Sequence, residues 1–188
     1  MTPARLVMAR VEALMPTPLA RAAAVALVLA LALLAASCMS PIFPERTERF
    51  QRGPKAEDLF VMRTMMSNGR EPSFDEKRAW QDRLEDRVSR YLREHPEVEQ
   101  APRYTDFRFW RHVSLQSARG EVRALLEEPD EQTIDPARMA AMAKHLWPDL
   151  QKKATEAWLY PLGWTLYFDD KGVVEMVRVL SGKPDRDE

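Results

Sequence analysis

The stretch Trp158-Leu159-Tyr160-Pro161-Leu162-Gly163-Trp164-Thr165-Leu166-Tyr167-Phe168-Asp169-Asp170-Lys171-Gly172-Val173-Val174 decides the fold class. Large apolar side chains fall at every second position, first Trp158 and Tyr160, then Trp164, Leu166 and Phe168, the period of a strand with one buried face. Asp169-Asp170-Lys171-Gly172 is a turn sequence, after which an apolar run resumes from Val173 to Leu180. The three segments predict an antiparallel meander. Trp158, Trp164, Leu166 and Phe168 would cover its inner face, and Leu159, Thr165 and Tyr167 would lie on an open outer face.

Upstream the period becomes helical. Ser73 and Glu76 have the spacing of a capping box, and Trp80, Leu84, Val88, Tyr91 and Leu92 then recur on one side until His95-Pro96 stops the helix. Residues 117 to 127 predict a second helix with Val122, Leu125 and Leu126 inward. A third, from 136 to 154, has Asp135 as cap, Pro136 in its first turn and a stripe of Met139, Met142, Ala143, Leu146 and Trp147, with a kink or a split at Pro148. Between the first two helices, Tyr104, Phe107, Phe109 and Trp110 are interleaved with arginines. Phe107 and Phe109 alternate, which predicts an extended stretch buried on one face. The expected fold is α+β over residues 73 to 182, with helices packed on one face of a small three-stranded antiparallel sheet and a polar tail at 183 to 188.

Residues 39 to 72 hold Pro41, Pro44, Gly53, Pro54, Gly69 and Pro72, enough breakers for the segment 38 to 72 to read as a tether. Leu59-Phe60-Val61-Met62 and Met65-Met66 are too apolar for a plain linker and predict a short docked helix or a partner-binding segment. Further back, Arg5, Arg10 and Arg21 precede an uncharged run from Ala22 to Ser40, the pattern of a signal peptide over residues 1 to 37. Its strongly apolar part stops at Ala36, short of the ~20 residues a permanent span needs.

Leu34-Ala35-Ala36-Ser37-Cys38 resembles a lipobox, with its leucine one place further back than the usual pattern. The resemblance implies cleavage before Cys38 and attachment of lipid, palmitate among its acyl chains, to that cysteine. Several acyl chains, at ~0.8 kcal/mol per buried methylene, hold a protein to a membrane where one would let go. Cys38 is the only cysteine, so a disulfide within one copy is excluded. Met39 follows it, with no aspartate to signal inner-membrane retention, and the expected location is the outer membrane, facing the periplasm.

Cleavage there would remove Arg5, Arg10, Arg21 and Glu12 and take the formal charge from -1 to -3. Such a balance gives no basis for nucleic-acid binding. His95, His112 and His145 are widely spaced and fit no metal motif, so neither a cofactor nor an enzyme activity is expected.

Glu121-Val122-Arg123-Ala124-Leu125-Leu126-Glu127-Glu128-Pro129-Asp130, followed by Trp158-Leu159-Tyr160, Leu166-Tyr167-Phe168-Asp169 and Gly172-Val173-Val174, resembles the SmpA/OmlA (BamE-like) lipoprotein family over roughly residues 113 to 180. Gln116-Ser117-Ala118 stands where that family has Gly-Met-Ser/Thr, Glu127 replaces a glycine, and the third helix is an insertion. Glycine reaches backbone angles that Glu127 cannot adopt cheaply, which predicts a remodelled helix exit. The resemblance implies a two-layer α+β domain and a non-catalytic role at the outer membrane, the namesake being an accessory subunit of β-barrel assembly. The expected function is therefore an envelope lipoprotein that binds a protein partner through Leu159, Thr165 and Tyr167. The alternative is an inhibitor or small-ligand sensor, for which a closed pocket would speak in place of a flat apolar patch.

Overall fold

The computed structural model describes residues 46–180. The expected signal segment, Cys38 and the tail at 183 to 188 lie outside the described residues. The chain runs β1 (Arg46–Arg49), β2 (Arg52–Lys55), α1 (Ala56–Asn68), α2 (Phe74–Glu94), β3 (His112–Ser114), α3 (Arg119–Leu126), β4 (Glu131–Thr133), α4 (Pro136–Ala143), α5 (Trp147–Leu150), β5 (Glu156–Tyr160), β6 (Trp164–Phe168) and β7 (Val173–Leu180).

The meander is present: β5, β6 and β7 pair antiparallel, Trp158 opposite Leu166 and Leu166 opposite Met176. Asp169 closes the β6–β7 hairpin by accepting the Lys171 and Gly172 amides on Oδ1. The sheet is nevertheless five-stranded, in the order β1-β7-β6-β5-β4, and β2 and β3 form a separate two-stranded ribbon. This corrects the three-stranded expectation. Arg-Thr-Glu-Arg in β1 and Glu-Gln-Thr in β4 are short polar edge strands with no apolar alternation to announce them.

Alternation along β5–β7 sorts side chains as expected, yet both faces are covered. Trp158, Tyr160, Trp164, Leu166, Phe168 and Met176 face the main core with α1, α2 and α3. Guanidinium groups from α3 lie over its aromatic rings, Arg123 over Trp158 at 4.5 Å and Arg119 over Phe168 at 5.1 Å. On the other face Ala157, Tyr167 and Val177 pack with Met139, Met142, Ala143 and Leu150, so the inserted segment is a lid over the sheet. The expectation of helices on one face only is corrected by α4 and α5.

Ser73 caps α2 as its sequence requires, with Glu76 returning the bond to the Ser73 amide at 2.7 Å. The third helix is split as expected, but at Lys144 (φ 52°, ψ -124°) and not at Pro148, which sits in the first turn of α5, where its missing N–H costs nothing. The expected tether ends well before residue 72. β1 pairs with β7, Arg46 opposite Leu180, and Leu59 of α1 is 1% exposed within the main core. Of the two readings of the Leu59 to Met66 segment, the docked helix describes its first half.

Glu127 does take up a glycine-like backbone, at φ 65° and ψ -159°. The exit is clamped from three sides. Arg63 donates to the carbonyls of Leu126 at 2.8 Å and Glu128 at 2.9 Å, Tyr160 donates to the Glu127 carbonyl at 3.1 Å, and Arg87 pairs with the Glu127 carboxylate at 3.0 Å. The expected remodelling is thus a strained conformation, over-determined by its neighbours.

Candidate functional site: an exposed aromatic turn

The segment expected to be extended, residues 102 to 113, forms a π-helical turn over Asp106–Trp110. The amide of Arg111 closes it by donating to the Asp106 carbonyl, and Arg111 itself stands at φ 57°. Single π turns of this kind widen a helix by one residue and recur at functional sites. Adding a residue to the turn changes which side chains point inward. Phe107 alone is buried, edge-on to Tyr91 at 5.7 Å, while Phe109 is 67% and Trp110 59% exposed.

The turn is fixed from beneath. Glu85 of α2 accepts from Arg108 at 2.6 Å and from Arg111 at 2.5 Å, with Ser89 adding a third bond at 2.9 Å. Hydrogen bonding from Arg108 outweighs partial burial and, with Arg111, brings the Glu85 carboxyl from its ordinary value near 4.5 to about 2. At the other end Asp106 accepts from the Ser114 hydroxyl at 2.9 Å, and the Arg111 carbonyl accepts from the Ala56 amide at 3.0 Å. Tyr104 supports Phe109 edge-on at 5.9 Å. Two adjacent aromatic side chains are therefore held out in solvent on a backbone that has little freedom to fold them away.

Beside the turn lies an open groove of about 330 Å³ whose lining includes Lys55, Glu57, Trp80, Gln81, Glu85 and Arg111. Two of its charged groups, Glu85 and Arg111, already serve the clamp.

The residues expected to form the partner surface are elsewhere, and two of the three are buried. Tyr167 is 0% exposed and Thr165 is buried, while Leu159 is partly covered where the second cluster packs against it. The outer strand face is under α4 and α5, which corrects its assignment as an open patch. Phe109 and Trp110 are visible in the sequence, but the spacing of two between Phe107 and Phe109 reads as a strand. The insertion of one residue per turn is a backbone property that no side-chain pattern announces.

Other polar clusters are paired within the fold. Glu121, fully buried, is bound by Arg103 at 2.8 and 2.5 Å. Glu156 accepts from Arg119 at 2.7 Å, from the Trp158 indole at 2.6 Å and from Gln132. Burial pushes its carboxyl up, and the donors from Trp158 and Arg119 outweigh that and leave it lowered. His95 pairs with Glu97, His112 faces the Gly53 carbonyl, and His145 is exposed. Among the described residues no group of three His, Cys, Asp or Glu side chains is placed to hold a metal ion, and no helix is long and apolar enough to cross a membrane.

No family model, curated protein or solved structure matches the chain. The meaning of the aromatic turn thus rests on its own chemistry.

Proposed function

We propose that the protein is a non-catalytic envelope lipoprotein, attached to the outer membrane through lipid on Cys38, that binds a protein partner through Phe109 and Trp110. The observation that carries the binding role is the pair of exposed aromatic rings on a turn clamped by Glu85. Aromatic anchors of this kind dominate interface energetics because they bury large apolar area with few rotamers to freeze. The resemblance to SmpA/OmlA lipoproteins names the first partner class to test, a subunit of β-barrel assembly.

The test is photo-crosslinking in cells from position 110, with position 167 as an internal reference. A discrete adduct from 110 and none from buried 167 is the expected result; no adduct from 109 or 110 removes the partner reading. Fatty-acid labelling, lost in Cys38→Ser, checks the anchor. A second reading, an inhibitor or small-ligand sensor, draws on the groove lined by Lys55, Glu57 and Arg111. It requires that filling the groove with Gln81→Trp, and not Trp110→Ala, abolish activity in the cell.

A further inference from the structure

We infer that the groove between the β6–β7 hairpin and the loop after β3 binds a phosphomonoester, with Arg103, Lys153 and Lys171 on its phosphate group. The inference needs neither the partner reading of the aromatic turn nor the lipid anchor. The two sides of the groove are tightly joined. The Gln116 amide donates to the Val173 carbonyl at 2.7 Å, and the Val173 amide to the Ser117 carbonyl at 3.0 Å. A Cβ on Gly172 would lie 2.7 Å from that Ser117 oxygen, so only glycine lets the hairpin come this close. Lys153 is brought to the rim by the turn after α5, where its amide donates to the Leu150 carbonyl at 2.9 Å and the Thr155 amide to the Phe168 carbonyl at 2.8 Å. Four separate segments of chain thus converge on one groove of about 570 Å³. That volume lies within the ~300–1,000 Å³ range of small-molecule sites.

Arg103 is the fixed point. Glu121 on α3, fully buried, accepts from its Nε at 2.8 Å and from its Nη2 at 2.5 Å, which is the side edge of the guanidinium. A guanidinium carries five N–H donors, and this grip uses two of them. The end edge, made of Nη1 and the second hydrogen of Nη2, remains as a two-donor fork that no bond among the described residues uses. Arg103 lines the groove, so the fork is available to what enters it. A fork held from behind by a buried carboxylate grips an oxyanion with little side-chain freedom left to lose.

Because Glu121 cancels the charge of Arg103, the attraction for an anion comes from the lysines. Lys153 and Lys171 line the same groove, both are exposed, and neither forms an ion pair among the described residues. The carboxylate in the lining, Asp169, has its Oδ1 committed to the amides of Lys171 and Gly172, and Asp170 lies outside the lining. Two ammonium groups therefore outweigh one carboxylate. A phosphomonoester suits this set better than a planar carboxylate, since its three terminal oxygens and near-double charge give each of the three cationic side chains an oxygen of its own. Gln116 adds a neutral donor at the rim. Leu115 and Val174, both half-buried, offer an apolar wall to the body of the ester, a wall that inorganic phosphate would leave wet.

The experiment is isothermal titration calorimetry on the full chain, purified in the uncharged detergent dodecyl maltoside, with phenyl phosphate as the probe and inorganic phosphate and benzoate for comparison. The expected result is saturable binding of phenyl phosphate, tighter than that of either comparison anion. Lys153→Gln and Lys171→Gln should each weaken it about twofold to fivefold, the range for one exposed charge pair, and the double variant should weaken it further. Both positions are exposed, so the fold is retained. Arg103→Lys keeps the charge beside Glu121 but loses the fork, and should weaken binding at least as much; if it does not fold, the two lysine variants decide. Arg78→Gln, which removes an exposed charge from α2, should change nothing. The inference is overturned by an absence of saturable binding, by benzoate binding as tightly as phenyl phosphate, by lysine variants that match the wild type, or by an equal loss in Arg78→Gln. Vesicles of phosphatidic acid, whose head group is itself a phosphomonoester, separate the two sources of the ligand. Displacement of phenyl phosphate by the vesicles supports a site for a lipid head group, and binding that they leave untouched supports a site for a soluble ester.

Discussion

The hydroxyl of Tyr167 on β6 donates a hydrogen bond to the carbonyl oxygen of Met139 on α4, 3.0 Å away, across an interface from which water is excluded. Burial raises the Tyr167 phenol well above its ordinary range, so the group remains a donor at any physiological pH. Tyr167→Phe should cost about 1 to 2 kcal/mol by leaving that carbonyl without its partner. Tyr167→Ala should cost about 3 to 5 kcal/mol, as much as Phe168→Ala on the opposite face. Urea titration of the three variants checks this; a Tyr167→Ala variant as stable as wild type would mean that α4 and α5 do not cover the sheet.

Leu59 gives the corresponding test for α1. Its truncation to alanine should cost about 2 to 5 kcal/mol, the range for a leucine buried in a close-packed core. A chain beginning at Ser73, lacking β1, β2 and α1, should show no cooperative thermal transition by circular dichroism. A sharp transition would restore the longer tether.

Glu127→Gly should raise stability. The glutamate holds φ 65° and ψ -159°, a region costing about 1 to 3 kcal/mol for a residue with a Cβ, and glycine enters it freely. Two losses offset part of the gain: the pair with Arg87 is half exposed and therefore weak, and glycine widens the unfolded ensemble. A net rise of about 1 kcal/mol in the unfolding free energy is expected. Glu127→Ala, which keeps the Cβ, should show no such gain; equal effects would place the strain elsewhere.

The aromatic turn should loosen in acid. Because the folded-state value of Glu85 lies below the ordinary one, its clamp contributes fully above about pH 4.5 and is lost as pH falls toward about 2. Hydrogen exchange of the amides from Asp106 to Arg111, corrected for intrinsic rate, should accelerate across that window. In Glu85→Gln the acceleration should be absent and exchange fast throughout. Acid-independent protection in the wild type would show that Asp106 and Ala56 alone hold the turn.

The sequence was legible where one physical demand set the residue. Ser73 with Glu76, Asp135 with Pro136, and Trp158 through Phe168 announce a cap, a cap and a buried strand face, and each stands where it was read. It was illegible where pairing, not burial, makes the element. β1 and β4 are strands because β7 and β5 offer them hydrogen bonds, and their own residues would suit any polar loop. The candidate site fell between these cases. Phe109 and Trp110 carry an apolar signal that ordinarily means core, and only the π turn converts it to surface.

The spatial order β1-β7-β6-β5-β4 places the last of the described strands between the first and the rest. A polypeptide that emerges with its N-terminus leading, from a ribosome or through a translocation pore, therefore presents β1 to a sheet that does not yet exist. The edge strand has no hydrogen-bonding partner until residues 173 to 180 have come through, and the Arg46–Leu180 register can form only at the end. The order of the strands thus works as a timing device. It delays closure of the five-stranded sheet until all of it has arrived.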